Sequence, residues 1–206
     1  MSPLPLIHVV DDDESLRTAL LRLLSASGYE ARGYGSAGDF LMSPPPDRPG
    51  CVLLDVRMPG PSGLDLQAAL REKNITLPVI FLTGHADVSA SVRAMKTGAV
   101  DFLTKPVERE TLFEALQRAL ELDAAQRSSR DEAVRLRTRF ATLTPREREV
   151  FELVVAGRLN KQIAGQLGIA ERTVKADRAQ VLAKLGVGSA AELGALAERL
   201  RLLSAG

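Results

Sequence analysis

The chain has 206 residues, 45% of them hydrophobic and 26% charged, a composition that suits a soluble globular protein and leaves room for two small domains. No stretch approaches the ~18 apolar residues of a membrane span, and Met1 to Ile7 lacks the basic region and apolar core of a signal peptide, so no membrane association and a cytoplasmic location are expected. The net charge of +1 is uneven: residues 1–122 sum to −4, residues 123–142 to +2 and residues 143–206 to +3, an excess too small to identify a nucleic-acid surface without a motif beside it.

Taken in order, Leu6 to Val10 is a β-like apolar run that stops at Asp11-Asp12-Asp13-Glu14, after which Leu16, Ala19, Leu20, Leu23 and Leu24 recur at helical spacing until Gly28. Tyr29 to Tyr34 is a second strand, and Ser36 caps a short helix through Met42. After Pro44-Pro45-Pro46, a third strand opens at Cys51 and ends abruptly on Asp55. Cys51 is the sole cysteine, expected as a small buried residue without a disulfide, which fits a reducing compartment. Ser62 starts a helix through about Lys73, Pro78 to Thr83 is a fourth strand, a helix spans about Val88 to Thr97, and Val100 to Thr104 is a fifth strand. From Glu108 to Leu122, Leu112, Leu116, Ala119 and Leu120 share a helical face. Five strands alternating with five helices predict an α/β fold: a doubly wound, five-stranded parallel sheet with helices on both faces.

Residues 123–142 change character, because Gln126 to Glu132 has no apolar side chain, and they read as a partly helical linker. Thr144-Pro145-Arg146-Glu147 is then a capping box with proline at the first helical position. A small all-α domain follows over residues 143–206, with helices expected at Pro145 to Ala156, Lys161 to Leu167, Glu171 to Leu185 and Ala190 to Leu203, the last opened by a second capping box, Ser189 to Glu192.

Parallel sheets carry their chemistry just beyond the carboxyl ends of the strands. Asp11 and Asp12 follow strand one, Asp55 ends strand three, and Thr83 and Lys105 follow strands four and five. Singly, each has a plain reading, as a helix-capping acid or a surface lysine. Together they form a kit. Clustered carboxylates repel unless a divalent cation supplies the missing charge, and magnesium, which prefers oxygen ligands and substrate phosphates, is the natural candidate. A phosphoryl group on Asp55 would meet the cation, the Thr83 hydroxyl and the Lys105 ammonium.

These residues, with Met58-Pro59 and Ser62-Gly63 after Asp55, resemble the receiver domain of bacterial two-component response regulators over about residues 6–122. The resemblance implies that Asp55 accepts phosphate from a sensor histidine kinase, and that Asp11, Asp12, Asp55 and the backbone carbonyl of Arg57 hold Mg2+ or another divalent cation. It implies that Thr83 and Lys105 bind the phosphoryl group, that Phe102 is the aromatic switch beside Thr83, and that the Lys105-Pro106 bond is cis. Gly84 would leave the phosphoryl path open, and His85 is either a tuner of hydrolysis or a solvated loop residue.

In the C-terminal part, Lys161 to Leu185 forms two helices around a short glycine turn, with Ile163, Leu167, Val174 and Val181 inward and Arg172, Lys175, Ala176 and Ala179 on another face. A small bundle with a solvated basic stripe would look the same. The runs Leu143 to Val150, Asn160 to Ala164 and Thr173-Val174-Lys175, however, resemble the LuxR-type helix-turn-helix domain over about residues 143–203, and the whole chain is similar to the FixJ/NarL response regulators, the FixJ-like branch above all. The resemblance implies that Arg172, Lys175 and Ala176 face bases, with Thr173 in the same DNA-binding set, that Lys161 and Arg178 lean on phosphates, and that the last helix dimerises. Asp177 departs from the pattern, where many relatives carry histidine or another neutral or basic residue: either it turns away and pairs with Lys161 or Arg178, the outcome expected here, or DNA is bound more weakly or at a different sequence.

The function so implied is a transcription regulator activated by phosphorylation: a homodimer when phosphorylated, acting on promoter DNA and RNA polymerase, with no enzymatic role beyond its own phosphorylation and dephosphorylation. Two other readings stand beside it. One is a phosphate sink that drains a kinase, against which the helix-turn-helix argues. The other is an RNA-binding regulator, which lacks stacking aromatics, since Phe151 lies on an apolar helix.

Overall fold

The computed structural model describes residues 4–43, 45–84 and 94–204, without the side chains of 201–204. It divides after Arg127 into two compact units.

Among the described residues, the first unit holds five strands, β1 (Leu6–Val10), β2 (Glu30–Tyr34), β3 (Gly50–Asp55), β4 (Val79–Thr83) and β5 (Asp101–Thr104). All pairings are parallel, in the order β2-β1-β3-β4-β5. β1, β3 and β4 are buried at every residue, which is why they read as continuous apolar runs rather than as alternating ones. Their side chains nevertheless alternate between two cores. Ile7, Val9, Cys51, Leu53, Ile80 and Leu82 meet Leu20 and Leu24 of α1 (Glu14–Ala26) and Leu112 and Leu116 of α4 (Arg109–Ala141). Val10, Val52, Leu54 and Phe81 meet Phe40 of α2 (Ala37–Met42) and Leu66 and Leu70 of α3 (Gly63–Glu72). The doubly wound sheet expected from the sequence is present. Residues 94–96 are helical, and the rest of the expected Val88 to Thr97 helix lies outside the described residues.

The stretch read as a partly helical linker is instead part of α4, a single helix of 33 residues from Arg109 to Ala141. Its lack of apolar residues at Gln126 to Glu132 reflects a helix exposed over residues 128–132. Between Arg109 and Thr144 there is neither proline nor glycine, and Ala, Arg, Glu, Gln and Leu, which propagate a helix well, dominate.

The second unit holds α5 (Pro145–Val155), α6 (Asn160–Leu167), α7 (Glu171–Leu185) and α8 (Ala190–Ser204). Thr144 and Glu147 form the expected capping box of α5. At α8 the box is displaced: Glu192 N–H donates to Ser189 Oγ, but the Glu192 carboxylate accepts from Gly188 N–H, one residue earlier than expected. Gly168 ends α6 in the left-handed conformation, at φ 67°, where a side chain would be strained. Val150, Phe151, Val154, Ile163, Val174, Val181, Leu185 and Leu193 fill the core, with Leu167 partly buried against it.

Candidate functional site

The sheet register brings the strand ends to one rim. Val10 pairs with Leu54, Asp55 with Leu82 and Thr83 with Thr104, so the residues just beyond them share one level. Asp11 there is fully buried and Asp12 exposed. The plain capping role falls to Asp13, whose carboxylate accepts from Ser15 N–H and Leu16 N–H, so neither Asp11 nor Asp12 is the N-cap of α1.

The Lys105 ammonium joins the carboxylates: Nζ lies 2.7 Å from Asp11 Oδ2 and 2.8 Å from Asp55 Oδ2. The other oxygen of each acid accepts a backbone N–H, from Asp13 to Asp11 Oδ1 at 3.0 Å and from Arg57 to Asp55 Oδ1 at 3.1 Å. The Lys105 N–H donates to the Thr83 carbonyl at 2.6 Å, which fixes its backbone to the end of β4, and the Lys105-Pro106 bond is cis, as the resemblance implied. Burial raises the Asp11 pKa and repulsion from Asp55 adds to this, against the lowering influence of Lys105 and Asp13 N–H. For Lys105 burial pulls the pKa down, but the bonds to Asp11 and Asp55 outweigh it and the net shift is upward, so the ammonium stays charged.

Asp11, Asp12 and Asp55 each offer a carboxylate oxygen, and these lie within 4.8 Å of one another. An all-oxygen, anionic donor set with one exposed member fits a small hard cation such as Mg2+, which binds oxygens at about 2.0–2.1 Å and keeps several waters. Thr83 is buried at the same rim, and Phe102, half-buried, packs on Phe81 with ring centroids 6.1 Å apart. Among the described residues, a Cβ on Gly84 would meet nothing within 4 Å, and His85 lies outside them. Sequence reasoning missed two supporting residues. Arg17 Nη1 donates to the Asp11 carbonyl at 2.6 Å, and Gly63 leaves room for the Asp55 main chain.

The second candidate surface is α7. Val174, Val181 and Leu185 are buried, while Arg172, Thr173, Lys175 and Ala176 are exposed on the other side, as is Lys161 in the first turn of α6. Arg178 is half-buried and donates to Asn160 Oδ1 at 3.1 Å. Asp177 does not pair with Lys161 or Arg178 as expected. Its carboxylate faces Arg146 of α5, with Nε at 3.7 Å, because position 177 is turned toward α5 and away from the 172–175–176 face. Lys184 holds α7 from the other end, with Nζ 2.6 Å from Glu147 Oε2, and this pair with the Thr144 backbone keeps the Glu147 pKa below its ordinary value.

Residues 7–117 match the response regulator receiver domain, and residues 141–197 match the luxR family of bacterial regulatory proteins. Nodulation protein W of Bradyrhizobium diazoefficiens is 45% identical over 195 residues, covering 95% of this chain and 86% of that protein. The transcriptional regulatory protein FixJ of Rhizobium meliloti is 44% identical over 179 residues, or 87% of this chain and 88% of FixJ. Among solved structures, the response regulator StyR superposes with a TM-score of 0.86 at 44% identity, covering 96% of this chain and all of that one. Full-length FixJ from B. japonicum gives 0.59 at 38% identity, over 98% and 99% of the two chains. With both of its parts matched and relatives aligned along nearly its whole length, the chain belongs to the two-component response regulators that join a receiver domain to a LuxR-type DNA-binding domain, the phosphorylation-activated transcription regulators.

Proposed function

We propose that Asp55 is the phosphoacceptor, and the observation that carries this reading is the Lys105 ammonium bridging Asp11 and Asp55 at the strand ends. A carboxylate oxygen of Asp55 bonds to phosphorus as the bond to the donor, a phosphorylated sensor histidine kinase, breaks. Lys105, already within 2.8 Å, then pairs with a phosphoryl oxygen, and the Thr83 hydroxyl offers a further donor. Asp11, Asp12, Asp55 and the Arg57 carbonyl would hold Mg2+, which neutralises charge on the phosphoryl oxygens when bound. Hydrolysis of the same bond by water returns Asp55 to its starting state, so that phosphorylation and dephosphorylation of Asp55 are the reactions this chain carries out on itself.

The reading divides the chain into a receiver over residues 1–122, a connecting stretch over 123–142 and a DNA-binding domain over 143–206. Phe102 beside Phe81 is the element that follows Thr83 when the phosphoryl group is present, a population shift between two arrangements. In the DNA-binding domain Arg172, Thr173, Lys175 and Ala176 meet the major groove, and Lys161 and Arg178 meet phosphates. The phosphorylated chain acts in the cytoplasm as a homodimer that engages RNA polymerase at promoters. Promoter binding measured with and without acetyl phosphate and magnesium, and repeated on Asp55→Ala, tests the reading. Binding that is equal in all four cases would overturn it.

A further inference from the structure

Strand β3 carries Asp55 at one end, and its other end is tied to a helix by a buried charge. Gly50, the first residue of β3, donates its N–H to Asp123 Oδ2 of α4 at 3.0 Å, and Asp123 is fully buried. The same oxygen accepts from Arg127 Nε at 2.9 Å, one turn further along the helix. Arg127 also pairs with Asp47 and donates to the Arg48 carbonyl. Arg48 in turn donates to the Leu4 carbonyl, with Nη2 at 2.7 Å, and pairs with Glu30. Position 50 admits no side chain, because a Cβ there would lie 2.2 Å from the Leu6 carbonyl oxygen.

We propose that Asp123 and Arg127 are positioning residues of the signalling step, holding the helix that leaves the receiver to the foot of the strand that carries Asp55. The proposal rests on the reading of Asp55 given above. One, two and three turns earlier the same helix docks on the sheet through Ala119, Leu116 and Leu112, apolar contacts whose burial is non-directional. At Asp123 the contact changes in kind. A carboxylate removed from water is costly unless its partners are in place, so this network holds in one register and fails as a unit. Beyond Arg127, residues 128–132 are exposed. Among the described residues, Asp123 is therefore the last side chain of α4 bonded to the sheet, and Arg127 holds the next turn to Asp47 and Arg48, just before β3. A strand hydrogen-bonded between β1 and β4 moves as a piece, so a shift of β3 at Asp55 reaches Gly50, and through it the Asp123 carboxylate.

The test uses the full-length chain and three variants: Asp123→Asn, which keeps an acceptor for Gly50 N–H but loses the ion pair, Arg127→Ala, and Asp47→Ala, which removes only the most exposed partner. Phosphoryl uptake from acetyl phosphate, thermal melting, and promoter affinity with and without phosphorylation are measured on each. Uptake should stay within twofold of the parent, while the ratio of phosphorylated to unphosphorylated affinity falls at least fivefold in Asp123→Asn and Arg127→Ala and less in Asp47→Ala. Amide exchange at Gly50 should change on phosphorylation in the parent and not in Arg127→Ala, a readout that a purely structural contact would not move. Folded variants that take up phosphate and keep the parent ratio would overturn the proposal. Should Asp123→Asn or Arg127→Ala fail to fold, Arg127→Lys decides: it keeps a cation beside the buried Asp123 while losing the forked contacts to Asp47 and the Arg48 carbonyl, and its affinity ratio should fall as theirs would. A parent whose affinity ignores phosphorylation overturns the reading of Asp55 and this proposal with it, whereas loss of the ratio in the variants alone leaves Asp55 standing.

Discussion

Gly63 packs so closely on Asp55 that a methyl group at position 63 would stand 2.1 Å from the Asp55 carbonyl oxygen. Gly63 N–H also donates to the Val56 carbonyl, so the first residue of α3 and the end of β3 are locked together. The atom in the way is backbone and cannot turn aside. Gly63→Ala should therefore displace the main chain at Asp55, costing about 1–3 kcal/mol of stability, the usual range for overpacking. Denaturant unfolding measures that cost. Phosphoryl uptake should fall further than the stability loss alone explains, since the displaced residue is the acceptor itself.

Lys105→Ala should leave Asp11 and Asp55 facing each other without their shared cation. The loss of two charge-assisted hydrogen bonds predicts destabilisation by about 1–3 kcal/mol in a chelating buffer. Magnesium should restore part of it by supplying positive charge to the same oxygens. Uptake of phosphate should drop by about 10²-fold, the scale on which one preorganised donor matters at a developing charge. Melting curves and an acetyl phosphate time course, each with and without magnesium, give both numbers.

Asp11 sets a pH dependence whose sign follows from its environment. Its pKa is raised above the unfolded value, chiefly by burial, so the folded state holds this proton more tightly than the unfolded state does. The resulting stability is present below the unfolded carboxylate pKa and is lost as pH rises through the folded one. Asp11→Asn cannot ionise and should melt higher than the parent at neutral pH without divalent cations, the difference closing in acid. Magnesium should raise the melting temperature of the parent and not of Asp11→Asn. Its affinity for the parent should weaken as pH falls through the raised Asp11 pKa, because proton and cation compete for the same oxygens.

On the DNA side, Lys161→Ala should weaken binding to all sequences alike and reduce the slope of log affinity against log salt by about 1. Arg172→Ala should cost about 1–3 kcal/mol at the specific site and little elsewhere. Asp177 behaves differently from what its charge suggests. Because the carboxylate faces Arg146, Asp177→Asn should leave the salt slope unchanged and not tighten binding. A clear gain in affinity at low salt would show that the acid points at phosphates instead.

The sheet was legible because burial on both faces turns a parallel strand into an unbroken apolar run, and β1, β3 and β4 are such runs ending on Val10, Asp55 and Thr83. The rim followed from topology, since parallel strands end together. The Thr144 and Glu147 box was legible because its two hydrogen bonds depend only on local spacing. Asp123 was not, for a lone acid on a helix ordinarily reads as solvated, and its partner Gly50 is 73 residues away in the chain. The partner of Asp177 was hidden for the same reason: Arg146 lies on another helix, while Arg178, adjacent in sequence, turns toward Asn160. The continuity of α4 was missed through weighing hydrophobicity where the absence of helix breakers was the stronger signal.

The chain has one cysteine, and it lies wholly inside the sheet, where burial and the nearby Asp123 carboxylate push its thiol pKa up. Thiol reagents act on the exposed thiolate, so the folded protein offers them nothing. A cysteine introduced at an exposed position such as Met42, 78% accessible, or Val134, 60% accessible, would be the only one to take a fluorophore or spin label. The protein is thus prepared, without removing any residue, for distance measurements that follow its two units as phosphate comes and goes.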